Sequence, residues 1–192
     1  AAEMPTKIFL GTPHSNRGIK ELIINKTLKQ DYSQLQSENF ILESFSDQGK
    51  NALVICGADE RGVYYGLSEF SATVLGIDPC EYWTGKLPPI KDKLTIPAIS
   101  YLEKPPVYPL RGYFDNDNDM LANWKGRKLI VEFDIWKEII HSLIRMRYNY
   151  IDIHDLLGRP EFYRNPYYTG MVEYHTDLEL VEQVIDYAHS RG

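Results

Sequence analysis

Arg111-Gly-Tyr-Phe-Asp-Asn-Asp-Asn-Asp119 joins a short apolar segment to a run of carboxylates and amides. Tyr113 and Phe114 have the character of a buried strand, and the acidic and amide side chains follow directly. Because such groups are costly to bury, we expect the run to emerge at the carboxyl end of the strand, on a surface or in a cleft. A surface turn rich in Asp and Asn is the alternative, and the run taken by itself favours that turn.

The pattern of this first strand is repeated further along the chain. A helix is predicted over residues 134–147, and a second short strand over residues 149–153 ends in His154-Asp155. Two strands that are each followed by a helix, with polar residues at their carboxyl ends, are typical of the first units of a (β/α)8 TIM barrel, whose reacting groups lie at that end. Residues 110–192 have room for two such units, so we predict an incomplete barrel and a truncated piece of a longer enzyme.

The residues before this segment predict a separate small domain over residues 1–97. Turn residues at Asp47-Gln-Gly-Lys-Asn51 lie between two apolar runs and indicate a hairpin. With a strand near residue 7, helices on either side of the hairpin and short strands at 81–83 and 93–96, the segment suits an α+β fold. We expect a mostly antiparallel sheet with helices on one face. Residues 98–109 are rich in proline and are predicted to form an extended linker.

The glycines of Gly57-Ala-Asp-Glu-Arg-Gly-Val-Tyr-Tyr-Gly66 follow a strand and open a helix. Their spacing matches neither a P-loop nor a dinucleotide-binding motif. We therefore interpret Gly62 and Gly66 as positions at which the helix backbone lies close against the sheet. The carboxylate of Asp59 is placed to cap that helix, which should stop at Gly76.

Composition and charge restrict the classes of partner. The chain is 43% hydrophobic and has a net charge of −6 without a basic run, which argues against nucleic acid and anionic membranes as partners. No apolar stretch reaches the roughly 18 residues of a membrane-spanning helix. Cys56 and Cys80 have no metal-binding spacing, Cys56 is expected to be a buried thiol, and we expect no cofactor and no metal. The start Ala1-Ala2-Glu3 lacks an initiator Met, so it is either a processed terminus or the edge of an expressed fragment. A removed secretory signal would fit the first alternative, and a secreted or periplasmic location is expected.

Four motifs occur in order along the chain: Gly57-Ala-Asp-Glu-Arg-Gly-Val-Tyr-Tyr-Gly-Leu-Ser-Glu-Phe70, Gly76-Ile-Asp-Pro-Cys-Glu-Tyr-Trp83, Pro106-Val-Tyr-Pro-Leu-Arg-Gly-Tyr-Phe114 with Asn116-Asp117, and Leu143-Ile-Arg-Met-Arg-Tyr-Asn-Tyr150. Together they resemble the N-terminal domain and the barrel entry of the α-glucuronidases of glycoside hydrolase family 115. A related small domain, the hexosaminidase domain 2-like fold, precedes the barrel in families 20 and 67. The resemblance covers most of the chain from about residue 50 onward.

The resemblance implies a carbohydrate substrate and a hydrolase of O-glycosidic bonds. In the resembled families the catalytic carboxylates lie on later strands, so we expect them downstream of residue 192 and expect this chain alone to be inactive. Arg111 is the leading candidate for substrate binding, since a guanidinium can donate a forked pair of hydrogen bonds and the Arg of the corresponding Arg-Gly in family 20 contacts sugar hydroxyls. An ion pair that closes the bottom of the barrel is the alternative role for Arg111.

Four further residues are candidates for substrate binding. Asn116 and Asp117 are expected to hold sugar hydroxyls at the rim, and Asp155 to orient His154 or to accept from a sugar. An ordinary histidine at the end of a strand is the alternative for His154. Two other functions stay open for the chain as a whole, a non-catalytic carbohydrate-binding module and a scaffold or interaction domain. Oligomers that form through exposed barrel faces are also expected.

Overall fold

The computed structural model describes residues 7–114, 132–153 and 178–192. Its α-helices and strands, in chain order, are β1 Lys7–Gly11, α1 Arg17–Ile24, β2 Phe40–Asp47, β3 Lys50–Gly57, α2 Glu60–Phe70, α3 Glu81–Thr84, β4 Ser100–Leu102, β5 Gly112–Phe114, α4 Phe133–Arg145, β6 Tyr150–Asp152 and α5 Leu178–Ser190. The chain divides into two compact units, one of residues 1–109 with 144–147 and one of residues 110–143 with 148–192. No helix within the described ranges has both the length and the apolar character needed to cross a membrane.

The first unit contains a four-stranded mixed sheet with the strand order β1-β3-β2-β4. Strand β3 pairs in parallel with β1 and antiparallel with β2, and β2 also pairs antiparallel with β4. The predicted hairpin joins β2 to β3. Its two turn residues, Gln48 and Gly49, have φ values of 53° and 79°, the left-handed conformation that a two-residue hairpin turn requires.

Apolar side chains of β3 alternate between two clusters, one on each face of the sheet. Leu53 and Ile55 pack with Tyr65 and Phe70 of α2. Alternate residues of β3 pack instead in a cluster with residues of α1: Ala52, Val54 and Cys56 with Ile19 and Leu22. The prediction of helices on one face is therefore wrong. The central strand β3 is buried on both faces, and each of its faces has an apolar surface that a helix must cover.

The predicted strands at 81–83 and 93–96 are also wrong. Residues Glu81–Thr84 form the short helix α3, and the carboxylate of Asp78 accepts a hydrogen bond from the Cys80 amide at 2.9 Å just before it. Residues 93–96 lie in no strand, because the position beside β2 is occupied by Ser100–Leu102. Ser44 fixes that position, since its amide donates to the carbonyl of Ile99 at 2.9 Å and its hydroxyl accepts from the Ile99 amide at 2.8 Å. Part of the predicted linker 98–109 is thus the fourth strand of the sheet.

Helix α2 lies unusually close to the sheet, as its glycines predict. A Cβ atom at Gly62 would be 2.3 Å from the carbonyl oxygen of Asn39, and one at Gly66 would be 2.9 Å from Cγ2 of Ile55. Asp59 caps the helix, with its carboxylate accepting from the Gly62 amide at 2.8 Å. These contacts confirm the packing interpretation of the glycines.

Ion pairs connect residues 144–147 to the rest of the first unit. The guanidinium of Arg147 donates to Glu103 and, at 2.6 Å, to Glu69, and it lies over the ring of Phe40. Arg145 donates to Glu81 at 3.2 Å. The two arginines of the Leu143–Tyr150 motif therefore have structural partners within this unit.

The second unit contains β5 and β6 as a parallel pair, with α4 between them in sequence and α5 after them. The predicted helix 134–147 corresponds to α4, which begins one residue earlier and ends two residues earlier, and the predicted strand 149–153 corresponds to β6, which is shorter by one residue at each end. A parallel β-α-β arrangement is consistent with mixed α/β architecture in general. Two strands are described in this unit, and they do not show a TIM barrel.

Candidate functional site

The carboxyl ends of β5 and β6 lie at the same edge of their two-stranded sheet. The register pairs Gly112 with Tyr150, Tyr113 with Ile151 and Phe114 with Asp152, so both strands end level with each other. The predicted site residues Asn116, Asp117, His154 and Asp155 lie outside the described residues. The structure fixes the edge at which β5 and β6 end. The segments that carry these four residues follow directly after the two strands in the chain.

Arg111 lies at the opposite, amino end of the strand pair. Its amide donates to Oδ1 of Asn149 at 2.9 Å, and its carbonyl oxygen accepts from the Asn149 amide at 3.0 Å. Arg111 is three positions before Phe114, about 10 Å along an extended strand. The backbone of Arg111 is thus fixed by Asn149, while its predicted contact with a sugar stays a prediction.

Side chains of the strand pair alternate between two faces, and one face is the more exposed. Gly112, Phe114, Tyr150 and Asp152 share that face by register, and Phe114 and Tyr150 are 54% and 49% exposed. A Cβ atom at Gly112 would be 2.9 Å from Cδ1 of Tyr150, so the Tyr150 ring extends over the glycine. We call this surface the aromatic face.

The other face carries the half-buried side chains of Tyr113 and Ile151. The rings of Tyr113 and Tyr148 are arranged edge to face, 6.5 Å apart.

Sequence reasoning missed Phe114, Tyr150 and Asp152 as candidate site residues. It treated Phe114 as part of a buried strand and Tyr150 as part of a motif without a role. Successive side chains of a strand point to opposite faces of the sheet, so the sequence already placed Tyr113 and Phe114 on different faces, and likewise Tyr150 and Ile151. The register needed to align the two strands cannot be read from either strand alone.

A second polar cluster in the same unit joins α4 to α5. Nε2 of His141 is 2.5 Å from the hydroxyl of Tyr187, and Arg191 lies over the Tyr187 ring with its guanidinium carbon 4.7 Å from the centroid. Phe133 packs edge to face against the same ring. Phe133 and His141 of α4 contact Tyr187 of α5, and Arg191 packs on the same ring from just beyond the end of α5, so the cluster has the character of a packing contact.

Two buried groups of the first unit, the Glu43 carboxylate and the Cys56 thiol, have structural explanations. The carboxylate of Glu43 is fully buried and accepts from the amides of Lys29 and Gln30 at 2.7 and 3.0 Å, which ties that loop to the sheet. Cys56 is buried, as predicted, and burial raises the pKa of its thiol to about 12. Across the described ranges, no group of three or more His, Cys, Asp and Glu side chains is placed to hold a metal ion.

No protein-family model matches the chain, and no curated protein matches it. The resemblance to family 115 therefore rests on the four motifs and on their order. The geometry of the β5–β6 pair is a separate source of support for a function in carbohydrate binding.

Proposed function

We propose that the chain is the N-terminal part of a glycoside hydrolase, with a small α+β domain followed by the first two β/α units of the catalytic barrel. Its contribution to the reaction is to bind carbohydrate. The general acid and the second carboxylate that cleave the glycosidic bond are supplied by a part of the enzyme outside these 192 residues. An α-glucuronidase-like activity is the specific form that the motifs suggest, in a secreted or periplasmic enzyme.

The observation that carries the proposal is the parallel, level pairing of β5 with β6. Strands joined through a helix in this way bring the segments that follow them to one edge of a sheet, which is where barrel enzymes bind their substrates. Both of these segments are rich in side chains that hydrogen-bond to hydroxyl groups. Asn116 and Asp117 follow β5, while His154 and Asp155 follow β6.

A non-catalytic carbohydrate-binding module is the second candidate function. The half-exposed rings of Phe114 and Tyr150 favour it, because aromatic surfaces bind sugars without any catalytic group. The two candidates agree that the second unit binds carbohydrate. They differ in whether the longer protein also cleaves it.

Binding of the purified chain to a panel of oligosaccharides tests the shared claim. The panel contains xylohexaose, cellohexaose and an aldouronic acid from glucuronoxylan, measured by titration calorimetry. Saturable binding of at least one of them is expected, without release of reducing sugar by this chain alone. If none of the three binds at millimolar concentration, the carbohydrate proposal is wrong. Measurable turnover would show instead that the catalytic carboxylates lie within the 192 residues.

A further inference from the structure

We propose that Asn25 is the acceptor of an N-linked glycan, attached when the chain passes through a secretory pathway that contains an oligosaccharyltransferase. Asn25-Lys26-Thr27 has the form Asn-X-Ser/Thr, with X other than proline, that this class of enzyme modifies. No other asparagine of the 192-residue sequence is followed two positions later by serine or threonine. The inference rests on the secreted location within the proposed function, and it does not depend on carbohydrate binding by the second unit.

These three residues form the turn that ends helix α1. Asn25 is the C-cap residue, and Lys26 after it has a φ of 51°, the left-handed conformation common at that position. The Lys26 amide donates to the carbonyl oxygen of Ile23, and the Thr27 amide donates to that of Leu22, both at 3.0 Å. This pair of hydrogen bonds is a Schellman motif. The turn is therefore held by its backbone, and the acceptor asparagine lies at a defined position on it.

The turn has the exposure that a glycan requires. A glycan is bulky and hydrated, so the asparagine that carries it must lie at the surface. Asn25, Lys26 and Thr27 are all exposed, whereas Asn39 of the same unit is only 1% exposed and has no room for such a group. Helix α1 is anchored to the sheet through Ile19 and Leu22, which precede the turn. Modification of Asn25 would therefore leave the core of the unit intact.

The transfer reaction forms a bond between Nδ2 of Asn25 and the anomeric carbon of an oligosaccharide. The donor is an oligosaccharide joined through a diphosphate to a polyprenyl lipid, and the bond between its anomeric carbon and the phosphate oxygen breaks. The lipid diphosphate leaves with that electron pair, and the proton lost from the amide passes to a base of the transferase. The Thr27 hydroxyl stands at the position where the Asn-X-Ser/Thr pattern requires one. Removal of this hydroxyl should therefore block the transfer while the acceptor nitrogen is unchanged.

The experiment follows glycan attachment on the whole 192-residue chain, secreted from a eukaryotic host with a cleavable signal peptide. An Asn-Gly-Thr tail is appended after Gly192, so that a glycan on the tail identifies the chains that have met the transferase. Only those chains are scored at Asn25. Peptide N-glycosidase converts a glycosylated asparagine to aspartate, and peptide mass spectrometry then shows which asparagine carried the glycan.

Three variants separate the acceptor from the hydroxyl group. Asn25→Gln removes the acceptor, and Thr27→Val removes the hydroxyl while it keeps the size and branching of the side chain. Thr27→Ser is the matched control, because it keeps the hydroxyl group that the Asn-X-Ser/Thr pattern requires. Far-ultraviolet circular dichroism compares the fold of each secreted variant with that of the wild type.

The wild type and Thr27→Ser should carry two glycans, one at Asn25 and one on the tail. Asn25→Gln and Thr27→Val should carry the tail glycan alone and should lose the slower of the two glycosylated bands in gel electrophoresis. Wild-type chains with a glycan on the tail and none at Asn25 would overturn the inference, and so would a glycan at Asn25 that persists in Thr27→Val. Either result would leave the carbohydrate proposal standing, because that proposal fails only if the unmodified chain binds no oligosaccharide.

Discussion

Replacement of Gly62 by alanine tests how closely α2 packs against the sheet. The added Cβ would lie 2.3 Å from the carbonyl oxygen of Asn39 and 3.1 Å from Cα of Gly57. Both neighbours are backbone atoms, so no flexible side chain can move aside. The helix must therefore retreat until the first contact exceeds 3.0 Å.

Three effects of this substitution can be weighed against one another. Alanine favours the helical backbone over glycine by about 1 kcal/mol. Overpacking against backbone typically costs about 1–3 kcal/mol. The displaced Asn39 carbonyl also accepts the Ala58 amide at 2.9 Å, and weakening that hydrogen bond costs about 1 kcal/mol more. The expected net result is a loss of about 1–3 kcal/mol in the free energy of unfolding.

Urea denaturation followed by circular dichroism measures this loss. Gly49→Asn is the control, because Gly49 has φ 79° with nothing within 4 Å of an added Cβ, and asparagine tolerates that conformation. The control should stay within about 0.5 kcal/mol of the wild type. A Gly62→Ala variant that is as stable as the wild type would refute the close packing of α2. It would also reopen the possibility that these glycines form a phosphate-binding loop.

Four further predictions concern the first unit. Asp59→Ala should cost about 1 kcal/mol through loss of the helix cap. Burial opposes ionisation of Asp59, but hydrogen bonds from the Gly62 and Glu38 amides outweigh it and hold the pKa below its usual value. The wild type should therefore lose stability as pH falls from about 4 through that lowered pKa, and Asp59→Asn should lose less, as acid titration of unfolding will show. With a thiol reagent at pH 8, Cys80 should react in the folded protein and Cys56 only after unfolding, so two equally fast thiols would contradict the burial of Cys56. Arg147→Lys should lower the free energy of unfolding by about 1–2 kcal/mol, since a lysine lacks the two guanidinium nitrogens that donate to Glu69 and Glu103. Unchanged stability would show that these ion pairs contribute little to folding.

Features decided by neighbouring residues were predictable from the sequence. The hairpin between β2 and β3 follows from its turn residues, and the start of α2 from Asp59 and the glycines that follow it. The distribution of helices was not predictable in this way. It depends on β1 pairing in parallel with β3, some 45 residues away, which leaves β3 central and both of its faces in need of cover.

The candidate site was also only partly predictable from local sequence. The positions of the two strands and of the helix between them follow from local patterns around Phe114 and Tyr150. Which side chains share a face depends on the register of two three-residue strands, and a shift of one residue would exchange the faces. Sequence reasoning consequently chose Arg111 for its chemistry and overlooked the two exposed rings.

Chemical-shift mapping tests the central claim, that the second unit binds carbohydrate at the β5–β6 pair, most directly. Amide spectra of the isotope-labelled 192-residue chain are recorded during titration with xylohexaose. Saturable shifts are expected at Gly112–Phe114 and Tyr150–Asp152, with the amides of β1 and β3 unchanged. Shifts confined to the first unit, or none up to millimolar sugar, would contradict the claim.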